Sequence, residues 1–168
     1  MNTQHDSTPS TYMGIAFYTL NGHPTQWVIV LSSCELFSRD LWCGTIIESI
    51  NGWVESWRRC DMGLTKFAQH LFLSGIVMVA KINRLATDIK DTISSLPWKA
   101  EQARLAGYQY PPSNEYVHRV LFYLDGRNVI SLPPSARSDF VSHMKERFSI
   151  LQGFPKSHIN QFFVIPIA

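Results

Sequence analysis

Charge of either sign is scarce in this sequence of 168 residues. Only 17% of the residues are charged, and fifteen basic against thirteen acidic side chains leave a formal net charge of +2. Proteins that follow a phosphate backbone carry a strongly basic surface, so we predict no nucleic-acid partner. The apolar share of 45% excludes intrinsic disorder, which requires few apolar residues and a high net charge.

Cysteines and long apolar runs are also scarce. The three cysteines, Cys34, Cys43 and Cys60, are odd in number and lack the spacing of metal ligands. The longest apolar candidate, 71–80, is interrupted by a Ser-Gly pair and is too short to span a bilayer. The first ten residues are polar and do not have the pattern of a secretory signal. We therefore predict a reduced, cytoplasmic protein with no membrane span.

Aromatic residues, in contrast, are abundant, with five Trp, six Tyr and ten Phe. Such side chains fill a core, line an apolar pocket or form an interface. Together with the low charged fraction, five Trp indicate more apolar surface than a small monomer hides easily. We therefore expect a homodimer.

The first half of the chain has the composition of strands. After a polar leader at residues 1–11, which we predict to be disordered, β-branched and aromatic residues concentrate in five segments, 12–20, 26–31, 44–49, 53–59 and 72–82. Asn-Gly pairs separate the first segment from the second and the third from the fourth, and they predict two hairpins. A last strand at 162–167 belongs at a sheet edge, because Pro166 cannot occupy a central strand.

Helical spacing of apolar residues begins after the fifth strand. Leu85, Ile89, Ile93 and Leu96 recur three or four positions apart, which predicts a helix. Asn83 is a suitable N-cap for this helix, and the helix must end before Pro97.

Two more helices are predicted near the end of the chain. One begins at Ser113 or Asn114, with Gly126 as the C′ residue that ends it, and the other begins at Ser135 and ends at Gly153. Their predicted buried residues are Val117, Val120, Leu121 and Leu124 in the first, and Phe140, Met144, Phe148 and Leu151 in the second.

Strands first and helices later favour an α+β fold, a small antiparallel sheet with helices packed on it, in a single domain over 12–168. No phosphate loop, dinucleotide fingerprint, nucleophile elbow or HExxH motif occurs. The pairs Glu115-x-x-His118 and His143-x-x-Glu146 resemble parts of a di-iron bundle, but that site draws on four helices and only three are predicted here. We therefore predict neither a metal nor a cofactor.

The order of these segments is distinctive. It runs through QWVIVL, WVESWRR, FLSGIVMVAKI, NRLATDIKDTISSLP and NEYVHRVLFYL. This order resembles a family of small fungal proteins related to the permuted NlpC-type and lecithin-retinol-acyltransferase-like thiol hydrolases. In that family a strand begins His-Trp-Ala-Leu, a Trp-bearing strand and a long apolar strand follow, and after a helix ending in Pro the next helix begins Asn-Cys-x-x-Trp-Val. The resemblance covers residues 12–151 and implies a papain-like topology.

The same resemblance implies that thiol chemistry has been lost. The family's catalytic His falls on Gln26 and its nucleophilic Cys on Glu115. Thiol hydrolases need a thiolate beside a base, whereas glutamine cannot accept a proton and a carboxylate is a poor substitute for a thiolate. The resemblance thus implies a converted cleft around Glu115, with Asn114 and His118 on the same helix and Glu48 on the strand that bears the family's third polar residue.

A glutamate in such a cleft can bind a cation or act as a general base or acid. Gln26 opposite could donate its amide to a developing oxyanion. Trp53 and Trp57, on one face of a strand, suit a pocket wall or an interface. The alternative interpretation is that Glu115 is an acidic residue on an exposed helix start and that His118 hydrogen-bonds locally or faces solvent.

Two functions remain open. In the first, the converted cleft binds an apolar small molecule, and if the protein is an enzyme it is a cofactor-free cyclase or isomerase of specialised metabolism, with Glu115 and Gln26 as catalytic residues. In the second, the chain is a catalytically inactive pseudohydrolase that acts as a protein-interaction or self-association module. The papain-like order predicts that Gln26 and Glu115 approach each other across one pocket.

Overall fold

Strands dominate the first part of the chain and helices the second, which confirms the α+β fold class. The computed structural model describes residues 8–20, 23–32, 46–49, 58–60, 73–96, 113–154 and 163–168. The strands are β1 (Thr11–Leu20), β2 (His23–Ser32), β3 (Ile46–Ser49), β4 (Arg58–Cys60), β5 (Leu73–Ile82) and β6 (Val164–Pro166). The helices are α1 (Ala86–Ser94), α2 (Ser113–Gly126), α3 (Pro134–Ser138) and α4 (Phe140–Gly153).

Within the described residues, the six strands form one sheet in the order β4-β3-β2-β1-β5-β6. All neighbours are antiparallel except β5 and β6, which run parallel. The β1–β2 pair confirms the first predicted hairpin. β3 pairs with β4 in a register that places Glu48 opposite Arg58, so the described second strand lies at 58–60 and not over 53–59 as predicted, and the predicted Asn51-Gly52 turn lies outside the described residues. β6 lies at the edge, as Pro166 required.

The central strand β1 is buried on both faces. Met13, Ile15 and Phe17 belong to the main core, and Ala16, whose side chain points to the other face, is equally inaccessible. Burial on both faces explains why this segment is a continuous apolar run without polar alternation. The strand begins one residue earlier than predicted, at Thr11, the last residue assigned to the leader, and the Thr11 hydroxyl donates to the Arg84 carbonyl oxygen.

The helices cover one face of this sheet with the predicted apolar stripes. The buried residues of α2 and α4 include Val117, Val120, Leu121, Leu124, Phe140, Met144, Phe148 and Leu151, and all of them join the same core as Phe17 and Ile29. The buried surface of α4 also includes His143, which was not predicted, and its Nε2 donates a hydrogen bond to the Ile167 carbonyl oxygen.

The start of α1 differs from the prediction. Leu85, not Asn83, is the N-cap residue, and it caps without a side-chain hydrogen bond. The Asn83 side chain instead accepts a hydrogen bond from Ser10 Oγ. Leu85 is 53% exposed and therefore does not belong to the buried stripe, which Ile89 and Ile93 supply.

The end of α2 also differs, because the residue in the left-handed conformation is Asn128 (φ 58°) and not Gly126. The Val129 N–H bonds to the Leu124 carbonyl oxygen and the Asn128 N–H to that of Asp125, which is a Schellman arrangement. The Asp125 carboxylate accepts from the Leu132 N–H and from two guanidinium nitrogens of Arg137, at 2.8–2.9 Å. The hydrogen bond from Arg137 is the main cause of the lowered pKa of Asp125.

The last helix does not begin at Ser135. That residue lies in the short helix α3, and α4 starts at Phe140 after a break at Asp139. Asp139 caps α4 by accepting hydrogen bonds from the Ser142 N–H and hydroxyl, which lower the pKa of its carboxyl group. The break places Phe140 at the very start of α4, where it faces α2.

Candidate functional site

The first turn of α2 carries the predicted site residues Asn114 and Glu115. Asn114 Oδ1 accepts a hydrogen bond from the Glu115 N–H at 2.9 Å, so it satisfies one of the unpaired donors of the helix start. Glu115 Oε1 lies 2.6 Å from Arg119 Nη2, one turn further along, in an ion pair whose side chains are 40% and 39% exposed. Glu115 is therefore an accessible, paired carboxylate and not a buried acid.

His118 lies between Glu115 and Arg119 in sequence, and its ring packs against two phenylalanines. The imidazole stacks on the Phe140 ring with centroids 4.6 Å apart and planes 14° apart. It also forms a T-shaped contact with the Phe122 ring, with centroids 4.5 Å apart. These contacts hold the ring in one orientation at the border between the core and the surface.

The nitrogens of this ring are left unused. In the part of the chain that the structure describes, neither nitrogen of His118 has a hydrogen-bond partner. Both nitrogens are accessible to solvent. A fixed imidazole with accessible, unbonded nitrogens can donate to or accept from a bound molecule. Of the two alternatives expected for His118, the local hydrogen bond is not present among the described residues, whereas the ring nitrogens are accessible to solvent.

The protonation of His118 is set by its surroundings. Partial burial lowers the pKa of the imidazole below its ordinary value, the Glu115 carboxylate opposes this change, and the Arg119 guanidinium adds to it. Burial disfavours the charged ring because the imidazolium loses hydration. The neutral form, which has one acceptor nitrogen, is thus favoured near neutral pH.

The strand that carries Gln26 approaches this helix. α2 packs against β2, and Trp27, the residue after Gln26, lies with its ring centroid 6.2 Å from that of Phe140. Phe140 thus contacts both Trp27 and His118, and the start of α2 meets β2 at this ring. Gln26 pairs with Tyr18 through the backbone, but its side chain lies outside the described part, so its approach to Glu115 stays a prediction.

The other predicted site residues are not tested. Trp53 and Trp57 lie outside the described residues, and so does the side chain of Glu48, whose backbone pairs with Val30 in the sheet. Among the described residues, no group of three histidine, cysteine, aspartate or glutamate side chains is placed to hold a metal ion.

Three residues that contact Glu115 or His118 were not predicted as site residues, namely Arg119, Phe122 and Phe140. Arg119 had a signal, because a basic residue four positions after an acidic one on a helix forms an ion pair. Phe140 was predicted as a core residue, which it is, but no pattern indicates that its ring also stacks on His118, 22 positions earlier in the chain.

Within the described segments, no helix has the length and apolar character needed to cross a bilayer. The homodimer expected from the composition stays a prediction.

No protein-family model, curated protein or solved structure matches this chain, so no relative assigns a role to Glu115 or His118.

Proposed function

We propose that this chain binds an apolar small molecule beside His118 and moves a proton on it without a cofactor, in an isomerisation or cyclisation. The binding surface, named the His118 site, consists of Glu115, His118, Arg119 and Phe122, and the buried ring of Phe140 supports it by stacking on His118. It combines ring surfaces with a few polar groups that converge on one place, which is the general composition of small-molecule sites.

The observation that carries the proposal is the state of His118. Its ring is held by Phe140 and Phe122, while its nitrogens have no partner among the described residues. These nitrogens are accessible, so a bound molecule can form hydrogen bonds to them directly. An oriented ring with unused nitrogens is what a proton-transfer group requires.

The charges around the ring suit the same chemistry. The lowered pKa of His118 keeps an acceptor nitrogen available, and the Glu115 carboxylate stabilises the imidazolium once a proton has arrived. Glu115 itself is 40% exposed, so a bound molecule can contact its carboxylate. We assign His118 as the base and, once it is protonated, as the acid, with the Glu115 carboxylate stabilising the charged ring.

The proposal includes the papain-like origin of the cleft and a role for Gln26 as an amide donor to a developing oxyanion. Its support is that β2 and α2, which carry Gln26 and Glu115, pack on each other and meet at Phe140. Trp53 and Trp57 are proposed as the wall of the same pocket.

The test uses 5-nitrobenzisoxazole, an apolar compound that a base opens by removing its ring C–H proton. The C–H electron pair forms the nitrile, the N–O bond breaks, and the released cyanonitrophenolate is followed by its absorbance. We expect the protein to open the ring faster than free imidazole at equal concentration. Glu115→Gln and His118→Phe should each lower the rate, by about a hundredfold if the variant removes the base itself.

Glu146→Gln is the matched control, since Glu146 lies on α4 with its side chain 64% exposed and is not part of the His118 site. It should leave the rate unchanged. The proposed function is contradicted if the protein opens the ring no faster than free imidazole. It is also contradicted if Glu115→Gln and His118→Phe both retain the wild-type rate.

A further inference from the structure

We infer that the molecule bound at the His118 site carries a hydrogen-bond donor, a phenol or enol O–H on an apolar ring body, and that this O–H donates to a ring nitrogen of His118. The inference rests on the proposed function and names the chemical class of its ligand.

The apolar body follows from the rings at the site. Phe140 and Phe122 fix the imidazole from one face and one edge, and Phe122 is only partly buried, so its ring borders the accessible side of the cluster. Flat aromatic ligands gain from stacking or edge contacts with accessible rings such as that of Phe122.

The O–H donor follows from the polar groups. Glu115 and Arg119 already bind each other at 2.6 Å. The His118 nitrogens are accessible polar atoms that have no partner among the described residues, and they lie on the ring that packs against Phe122. A neutral imidazole has one donor nitrogen and one acceptor nitrogen. An apolar ligand without a donor would leave the acceptor unpaired, whereas a phenol or enol satisfies it and can also pass its proton to it.

The charged groups that act on His118 are few. Among the described residues they are Glu115 and Arg119 of its own helix, while α4 presents the uncharged ring of Phe140, behind which lies Trp27 of β2. Acidification therefore removes the acceptor nitrogen by protonating His118 itself, and the preference for a donor ligand must disappear with it.

The experiment compares 2-naphthol with 2-methoxynaphthalene, which share a ring body and differ in the O–H. Binding to the full chain is followed by NMR shifts of the backbone amides of residues 114–123. We expect 2-naphthol to bind about fivefold more tightly at neutral pH, the size of one net hydrogen bond. The preference should vanish as the pH falls well below the ordinary histidine value of about 6.5.

His118→Phe is the matched variant, because it retains a ring that stacks on Phe140 and removes both nitrogens. It should bind the two compounds equally, and its circular dichroism and urea unfolding verify that it folds. The inference is overturned if the wild type binds both compounds equally, or if the preference for 2-naphthol persists in His118→Phe or at acidic pH. None of these results contradicts the binding function itself. If neither compound shifts residues 114–123, the binding function fails as well.

Discussion

The two ends of helix α2 treat their polar groups in opposite ways. At the C-terminal end, the Asp125 carboxylate accepts three hydrogen bonds and Asn128 takes the left-handed conformation that closes a Schellman arrangement. At the N-terminal end, Glu115 is paired only with Arg119 and is 40% exposed, and His118 leaves its ring nitrogens unbonded among the described residues.

The difference separates polar groups that stabilise the fold from polar groups that remain available. Both ends belong to one helix with one buried stripe, so the difference does not come from the packing of the helix. The difference lies in the pairing of the polar groups. Paired groups stabilise the fold, whereas accessible unpaired groups can bind a ligand.

The largest expected effect is at the N-terminal end, on its apolar support. Phe140 is 3% exposed and packs against both Trp27 and His118. We expect Phe140→Ala to lower the free energy of unfolding by about 3–5 kcal/mol, because a large buried side chain is lost and a cavity remains. Urea unfolding measures the loss, and a histidine NMR titration should show the pKa of His118 moving back up as its burial is relieved. Phe140→Leu is the control and should lose less than half as much. A loss below about 1 kcal/mol for Phe140→Ala would contradict the packing of Phe140 against Trp27 and His118.

The next effect is at the C-terminal end. Asp125→Asn retains an oxygen for the Leu132 N–H but removes the charge that Arg137 binds. We expect a melting temperature lower by about 2–4 °C.

The same charge predicts a pH dependence, because the pKa of Asp125 is lowered in the folded protein. The stabilisation that its carboxylate provides is complete above the ordinary carboxyl pKa of about 3.9 and is lost as the pH falls through the pKa of the folded protein. The melting temperatures of wild type and variant should thus converge in acid; a constant difference at all pH values would contradict the role of the charge.

The cap at Asn128 gives a smaller effect with a matched pair of variants. Asn128 has a φ of 58°, and alanine is strained in this left-handed conformation because its side chain cannot form the local hydrogen bonds that asparagine can. Asn128→Ala should therefore lower the free energy of unfolding by roughly 1 kcal/mol. Asn128→Gly should be neutral within a few tenths of a kcal/mol, because glycine adopts this conformation freely. If both variants lost the same stability, the left-handed conformation would not be the reason for asparagine at this position.

The smallest effect is the pH dependence of the N-terminal end. The folded pKa of His118 lies below its ordinary value, so its contribution is present above about pH 6.5 and is lost as the pH falls through the folded value. His118→Phe has no such group. We therefore expect the wild type to lose stability relative to this variant on acidification, measured by urea unfolding at two pH values. A stability difference that does not change between the two would show that partial burial does not act on the ring.

Apolar patterning predicted much of this fold. The continuous runs gave the strands β1, β2 and β5, and the helical spacing gave the stripes of α2 and α4, because burial of apolar surface is the main driving force for both. The edge position of Pro166 followed from its missing N–H.

Helix ends were predicted less well, because several residues compete for each end. Asn83 and Leu85, Gly126 and Asn128, and Ser135 and Asp139 are each within four positions of one another, and short-range propensity does not decide between them. The tertiary contacts of each end decide instead, such as the contact between Asn83 and Ser10.

The site was predicted in part. Asn114, Glu115 and His118 share the start of α2 as expected from the sequence, since the helical repeat alone places them there. The stack of His118 on Phe140 joins two helices, and no one-dimensional pattern contains it.

The strand order of the sheet has a consequence for how the chain folds. β1 pairs on one side with β2, its immediate neighbour in sequence, and on the other side with β5, more than fifty residues away. Hairpins form within microseconds, whereas distant pairings wait for the closure of a long loop. We expect the β1–β2 hairpin to form early and to serve as the template on which β5 docks. The parallel strand β6 and the His143–Ile167 hydrogen bond then form last, so the His118 site, which needs only β2, α2 and α4, does not depend on the final step.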